Sequence, residues 1–268
     1  MKLPLRPMAF SQASSAWVPP APAEPVELDA LRVVTLNSWF EPFEAARRAD
    51  ALVELIAAGD ADLVCLQEVT PALARRLRAS SVIREEHEIV CSTSSHDAYG
   101  LSVLSRLPIA RAWELELTSI MNRALLAVEL ATTRGPLTVA TVHLESTRAL
   151  AATRAAQLAE IFAALDEAIL VGDFNFDPSD PEEAALDPRF IDLWPLLSPD
   201  DPGYTEDTTR NCMRFHHHGG RDKHVRYDRV LARLSGLRPK SIRLFATEPL
   251  APGVHVSDHF GVEATFVR

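Results

Sequence analysis

No stretch of this 268-residue chain approaches the roughly 18 to 20 consecutive apolar residues of a membrane span, so no membrane partner is expected. The N-terminal segment MKLPLRPMAFSQASSAWVPPAPAEP carries Lys2 and Arg6 but lacks the apolar run of a signal peptide, and we expect a cytoplasmic protein. Cysteine is scarce. Cys65, Cys91 and Cys212 are odd in number and far apart, which suits reduced thiols rather than a disulfide framework or a zinc cluster. Positive charge is short as well: 27 Lys and Arg face 37 Asp and Glu, a formal net charge of -10. Nonspecific coating of nucleic acid needs many cations against phosphates, so that function is excluded, although a local basic groove is not. Internal repeats are absent, and only residues 1–27, rich in Pro, Ala and Ser, have the composition of a flexible arm. Residues 28–268 are expected to form a single monomeric domain.

What is present is apolar content, 47% of residues, enough for a sizeable core. LRVVTLN (31–37) and DLVCLQE (62–68) read as strands, separated by an amphipathic helix over 41–59 closed by Gly59. Thr70 and Pro71 start a helix through about Arg78. VIREEHEIVC (82–91), YGLSVLS, ARAWELEL, RALLAVEL and LTVATVHLE follow as extended segments, then a long helix over 148–167. AILVG (168–172), RYDRVLAR (226–233), SIRLFAT (241–247) and HFGVEATFV (259–267) complete the strands. Successive strands without helices between them pair antiparallel, and two helix-bearing crossovers make the sheet mixed. The expectation is an α/β fold, a mixed β-sheet sandwich flanked by helices.

Each strand is apolar until its last residues. Asn37, Gln67 with Glu68, His143 with Glu145, and Asp173 with Asn175 stand at four strand ends, Asp228 lies in a strand, and Ser257, Asp258 and His259 open the last one. One such ending is explained by the turn preference of Asp and Asn. Several converging would make a pocket of hard oxygen ligands, amide donors and two histidines, suited to Mg²⁺ (or Mn²⁺) and a phosphate. Other features have plainer readings. Trp39 is either a hydrophobic plug or a stacking platform. Ser257 is a turn hydroxyl and Glu145 a packing or pairing residue, while Asp180, Glu182 and Glu183 form the first turn of a helix after Pro181. His216, His217 and His218 could bind a transition metal but sit in a Gly-rich loop. The basic segment from Arg210 to Arg233 is either a solvated loop or a phosphate-facing groove.

QE (67–68), GDFN (172–175) and SDH (257–259) together resemble the endonuclease/exonuclease/phosphatase superfamily of Mg²⁺-dependent phosphodiesterases and phosphatases, whose four-layer fold that likeness implies. LQEVTP, MNRALLAVEL, HLEST, DLW, YTEDT, RYDRVL and SDHFGV are similar, in order, to motifs of its tyrosyl-DNA phosphodiesterase branch, which removes tyrosine from 5′ DNA phosphates. The likeness runs from about residue 31 to the C-terminus. It implies Glu68 as metal ligand with Asp258 nearby, and Asn37, His143 and Asn175 at the phosphate or the attacking water. Asp173 would position or deprotonate that water, and His259, backed by Asp228, would bond a phosphate oxygen; either Asp173 or His259 is the proton acceptor. Ser146, Tyr204 and Arg226 are implied as substrate contacts, and DNA ends, single-stranded or 5′-adducted, as partners. Three positions depart from the branch: Trp39 replaces an Asp, Asp177 a basic residue, and Glu206 an aromatic one. Two substitutions toward acid weaken the case for a DNA groove. They favour instead a phosphatase or phosphodiesterase acting on a small phosphorylated molecule. A sphingomyelinase-like role would need an export signal, and a dead binding module would show damage among Asn37, Glu68, Asp173, Asn175, Asp228 and His259, which are intact.

Overall fold

Period-two alternation in the strands decides how the layers assemble. In the strand Ala30–Asn37, Leu31 and Val33 point into one apolar cluster while Val34 and Leu36 point into another, so both faces are covered. The same division holds in Ala168–Asp173, where Ile169 and Val171 face the first cluster and Leu170 a third. The computed structural model describes all residues except 23, 94–97 and 218, with the backbone alone of 217. Two sheets pack face to face around the first cluster. One has the strand order Lys2–Leu5, Ile109–Glu116, Ala124–Thr132, Gly135–His143, Ala168–Asp173, Asp228–Arg233, Ile191–Asp192. The other runs Arg238–Phe245, Gly261–Val267, Ala30–Asn37, Leu63–Val69, Gly100–Ser105, Glu88–Cys91.

Each sheet contains one parallel pair, joined by a helix. Ala45–Ala58 links Ala30–Asn37 to Leu63–Val69, and Ala151–Ala164 links Gly135–His143 to Ala168–Asp173. The helices close the outer layers: Leu52, Ile56, Leu73 and Leu77 cover the second sheet, and Leu158, Ile161 and Phe162 the first. At roughly 1.5–3 kcal/mol per fully buried aliphatic or Phe side chain, these clusters are what hold the layers together. Thr70 caps the helix Pro71–Ala79 by accepting from the Leu73 N–H at 3.2 Å. The result is the expected helix-flanked mixed sandwich.

Two expectations are corrected. Residues 82–91 are not extended throughout: Ser80 accepts from the Ile83 N–H and starts a short helix, Ser81–Glu86, before the strand Glu88–Cys91. Residues 1–27 are not a flexible arm either. Lys2–Leu5 adds an edge strand to the first sheet, in register Lys2↔Leu115 through Leu5↔Ala112, and edge position is what tolerates Pro4. Ala9–Ser11 and Ala16–Val18 form a hairpin whose Trp17 indole donates to the Arg78 carbonyl at 3.3 Å, and Val26 bridges Thr132. Among the described residues, no helix is long and apolar enough to cross a membrane.

Candidate active site

Following the inward-facing positions upward leads from core to site. Leu31, Val33, Thr35 and Asn37 share one face, as do Val139, Thr141 and His143, and Ile169, Val171 and Asp173. Gln67 forms a polar layer beneath the site, its amide donating to Thr35 Oγ1 at 3.0 Å and Thr141 Oγ1 at 2.8 Å across the sheets. The next inward residues are His143, Asp173 and Asp228, placed side by side by the pairings His143↔Asp173 and Asp173↔Asp228, and Asn37, which meets Asp173 from the facing sheet. Asn37, His143 and Asp173 end at a cleft of about 820 Å³.

Asp173 is 1% exposed and held from three sides. Asn37 Nδ2 donates to it at 3.0 Å, the Asn175 N–H at 2.9 Å, and His143 Nε2 lies 3.5 Å away. The tautomer of His143 is set from behind, because Arg123 donates to Nδ1 at 3.0 Å and leaves the proton on Nε2, facing Asp173. Burial, then the Arg123 and His259 cations, hold the His143 pKa well below its ordinary value, so the ring is neutral. Asn175 also donates from Nδ2 to the Leu144 carbonyl at 3.0 Å. That amide and the Asp173 carboxylate are thus both immobilised on the turn after the strand.

Glu68 lies across the cleft from Asp173, on a bulge of Leu63–Val69 where its φ is 56°. The Phe40 N–H donates to Oε2 at 2.9 Å, and His143 Nε2 is 3.8 Å from Oε1. Burial, reinforced by the neighbouring Asp258 carboxylate, pushes the Glu68 carboxyl up to about 7. Asp258 is itself raised, by burial first and by Glu206. Two neighbouring carboxyls whose ionisation is opposed first by burial and then by nearby carboxylates fit a divalent cation. Among the described residues no three His, Cys, Asp or Glu side chains form a cage.

The third group is His259. Its Nδ1 lies 2.7 Å from Asp228 Oδ2 and its Nε2 3.1 Å from Glu206 Oε1. Burial opposes the charge, but the two carboxylates hold the ring well above its ordinary pKa, as an imidazolium. Glu206 is likewise buried yet held well below the usual carboxylate range by His259, Lys223 and Arg214. Ser257 behaves as a turn hydroxyl, donating to the Asn37 carbonyl at 2.6 Å and accepting from the His259 N–H at 3.1 Å.

The cleft thus gathers Asn37, Glu68, His143, Asp173, Asn175, Asp258 and His259, with Asp228 behind, and Ser146 on its wall with Oγ accepting from Arg123 at 3.0 Å. Two expected substrate contacts do not line it. Arg226 is buried and donates to the Asp192 carboxylate at 2.8 and 3.1 Å, so its charge is committed inside the fold. Tyr204 packs with its ring centroid 5.7 Å from that of His224. Much of the basic segment is similarly consumed: Arg229 pairs with Glu183 and Asp192, Arg233 with Asp166, and Lys223 and Arg214 with Glu206. Trp39 is a plug, 5% exposed, beneath the Arg48 guanidinium. Glu145 ties down a loop, accepting from Ser119, Ile120 and Met121. Glu182 pairs with buried Arg154, and Pro181–Ala185 is one short 3-10 helix. The His216–His218 motif reaches outside the described residues.

Some participants escape sequence reasoning. Arg123 is one; its only signal is its place in MNRALL. Arg48 is another, on the helix Ala45–Ala58, where it donates to the carbonyls of Ser38, Trp39, Glu41, Phe43 and Val256 and so shapes the loop that caps Glu68. Beyond His143 a smaller pocket of about 240 Å³ is walled by Tyr99, Met121 and Arg123, with Phe40 stacked on Tyr99 at 4.7 Å between centroids.

A profile of the Endonuclease/Exonuclease/phosphatase family matches residues 34–259. Tyrosyl-DNA phosphodiesterase 2 from Danio rerio is 27% identical over 258 residues, spanning 90% of this chain and 68% of that protein. The Homo sapiens protein of that name is 26% identical over 262 residues, spanning 90% and 70%. A crystal structure of D. rerio tyrosyl-DNA phosphodiesterase 2 complexed with single strand DNA product superposes with a TM-score of 0.74 at 26% identity, covering 89% of this chain and 99% of that one.

Proposed function

The chain belongs to the endonuclease/exonuclease/phosphatase family, and from that premise we propose that it is a Mg²⁺-dependent phosphodiesterase that hydrolyses phosphotyrosyl or related phosphodiester bonds at 5′ DNA ends. The observation that carries this reading is the convergence, in one cleft, of an immobilised carboxylate–amide pair, a cation-ready carboxylate pair and a charged histidine. Relatives named tyrosyl-DNA phosphodiesterase 2, one of them crystallised with a single strand DNA product, support the substrate class.

Asp173 orients the attacking water and accepts its proton, because both of its oxygens are pinned and one edge faces the neutral His143. Asn37 and Asn175, fixed by their own hydrogen bonds, keep amide dipoles beside the phosphate. The His259 imidazolium, held by Asp228, presents a charged N–H to the phosphate oxygen on which negative charge grows. Glu68 and Asp258 would hold the cation, which supplies charge neutralisation at the phosphate. The pocket behind His143, with Tyr99 and the Arg123 cation 5.8 Å from its ring centroid, offers an aromatic wall for a phenolic leaving group.

A second reading, hydrolysis of a small phosphorylated molecule, is favoured by the internal pairing of Arg226, Arg229 and Arg233, which leaves few cations for a long strand. Tyrosine release from a single-stranded oligonucleotide bearing a 5′-phosphotyrosine separates the two. Chelator-sensitive release supports the DNA-end reading. Cleavage of a generic phosphodiester without tyrosine release moves the substrate to small molecules.

A further inference from the structure

One wall of the cleft already carries an anion. Glu206, on the two-residue strand Glu206–Asp207, is 2% exposed, yet its carboxylate touches three cations. Oε1 lies 3.1 Å from His259 Nε2, while Oε2 lies 2.6 Å from Lys223 Nζ and 3.4 Å from Arg214 Nε. All four side chains line the cleft, and Lys223 and Arg214 keep 23% and 26% of their side chains exposed. Strand pairing Glu206↔Val225 brings Lys223 alongside, and the helix Met213–His217 brings Arg214.

The geometry is exclusive. His259 Nδ1 is committed to Asp228 at 2.7 Å, so the ring has a single N–H to present, and it is spent on Glu206. A phosphate oxygen approaching Nε2 meets a carboxylate at hydrogen-bond range, and two anions so close to each other repel strongly. Glu206 is 2% exposed, and a buried charge is screened far less than one in open solvent.

We propose that Glu206 is a specificity-determining residue: an internal anion occupying the phosphate seat formed by His259, Lys223 and Arg214, which the substrate phosphate displaces in order to bind. The proposal rests on the phosphodiesterase reading for the kind of anion, not for the leaving group. A seat neutralised in advance draws in weakly those phosphates that only Lys223 and Arg214 could reach. It admits the one phosphate that the remainder of the site also grips. Selection then falls on the scissile group rather than on the length of the strand that carries it.

Calorimetric titration of inorganic phosphate into the full chain with Mg²⁺ present tests this without needing turnover. Glu206→Gln keeps the shape and removes the competing charge, so phosphate should bind roughly tenfold more tightly than to the wild type. The gain should vanish in Glu206→Gln combined with Lys223→Gln, and KM for a phosphodiester substrate should fall with Glu206→Gln while the effect on kcat stays smaller. Unchanged or weaker phosphate binding by folded Glu206→Gln overturns the proposal and leaves Glu206 a structural clamp. Should Glu206→Gln not fold, Glu206→Asp keeps a charge for Lys223 but withdraws the oxygen from His259; it should tighten phosphate binding, and unchanged affinity is equally fatal. Because the titration reads phosphate directly, failure of tyrosine release would sink the DNA-end reading while leaving this result legible.

Discussion

Replacing Asp173 by Asn changes one atom for another of the same size and turns an acceptor into a donor. Asp173 accepts from Asn37 Nδ2 at 3.0 Å and from the Asn175 N–H at 2.9 Å, and faces the His143 Nε2–H at 3.5 Å. An Asn there keeps its oxygen for Asn175 and turns its NH₂ toward Asn37 and His143, donor against donor. Flipping the Asn37 amide to compensate would forfeit the bond that its Oδ1 accepts from the Trp39 N–H at 3.0 Å. With hydrogen bonds to a charged group contributing about 1.5–3 kcal/mol each, and one of them retained, the expected destabilisation is about 2 kcal/mol. In a chain this long, that lowers Tm by roughly 4–8 °C, leaving the protein folded at assay temperature. The rate loses both the proton acceptor and the orientation of the water, a factor of roughly 10²–10⁴ in kcat. Melting and turnover of a phosphodiester measured on the same preparation check both numbers. A kcat within about threefold of wild type would remove Asp173 from the chemistry.

Glu68→Gln should raise the half-saturating Mg²⁺ concentration at least roughly tenfold, since the neutral amide cannot supply the charge that the cation seeks; a metal titration that does not move assigns the site to other ligands. Gly172→Ala should cost about 4 kcal/mol or more, because φ is +134° and a Cβ would lie 2.1 Å from the Val142 carbonyl oxygen; a melting curve near wild type would refute the clash. His87 is buried with neither ring nitrogen hydrogen-bonded among the described residues, and burial, then Arg106, lowers its pKa from 6.5 to about 4. The unfolded chain therefore takes up a proton that the native state refuses, so stability should fall as pH drops from about 6.5 toward 4, by up to roughly 1.4 kcal/mol per unit. His87→Gln should flatten that slope in pH-dependent denaturant melts, and identical slopes would exclude His87 as its source.

The parts legible in the sequence are those carried by local period and local chemistry. Short, mostly apolar runs over 31–36 and 168–171 announce the strands, their polar ends mark where Asn37 and Asp173 emerge, and Thr70 before Pro71 announces a helix start. What escaped depends on tertiary approach. Pro-rich composition in 1–27 reads as a linker, yet an edge strand needs only alternate N–H groups, and the edge at Ile109–Glu116 was there to receive it. Arg226 stands in a recognisable motif, but its charge goes to Asp192, 34 residues earlier in the chain and invisible to spacing. Ser80 both ends one helix and caps the next, which hid Ser81–Glu86 inside a stretch that looked extended.

The same dependence on close approach explains how the site is oriented before anything binds. Trp39, Glu68 and Asn175 all have positive φ, 58°, 56° and 55°, a conformation costing roughly 1–3 kcal/mol at each non-glycine residue. Each strained turn accompanies a backbone N–H that fixes a polar side chain of the site: Trp39 donates to Asn37 Oδ1 at 3.0 Å, Phe40 to Glu68 Oε2 at 2.9 Å, and Asn175 to Asp173 Oδ1 at 2.9 Å. Backbone donors have no rotamer freedom to lose, so the side chains they hold are aligned by the fold itself rather than by metal or substrate. The strain is offset by the apolar layers beneath, where Val33, Val139, Ile169 and Val171 are fully buried. Withdrawing the cation should therefore remove charge neutralisation from the cleft while leaving Asn37, Asp173 and Asn175 in place.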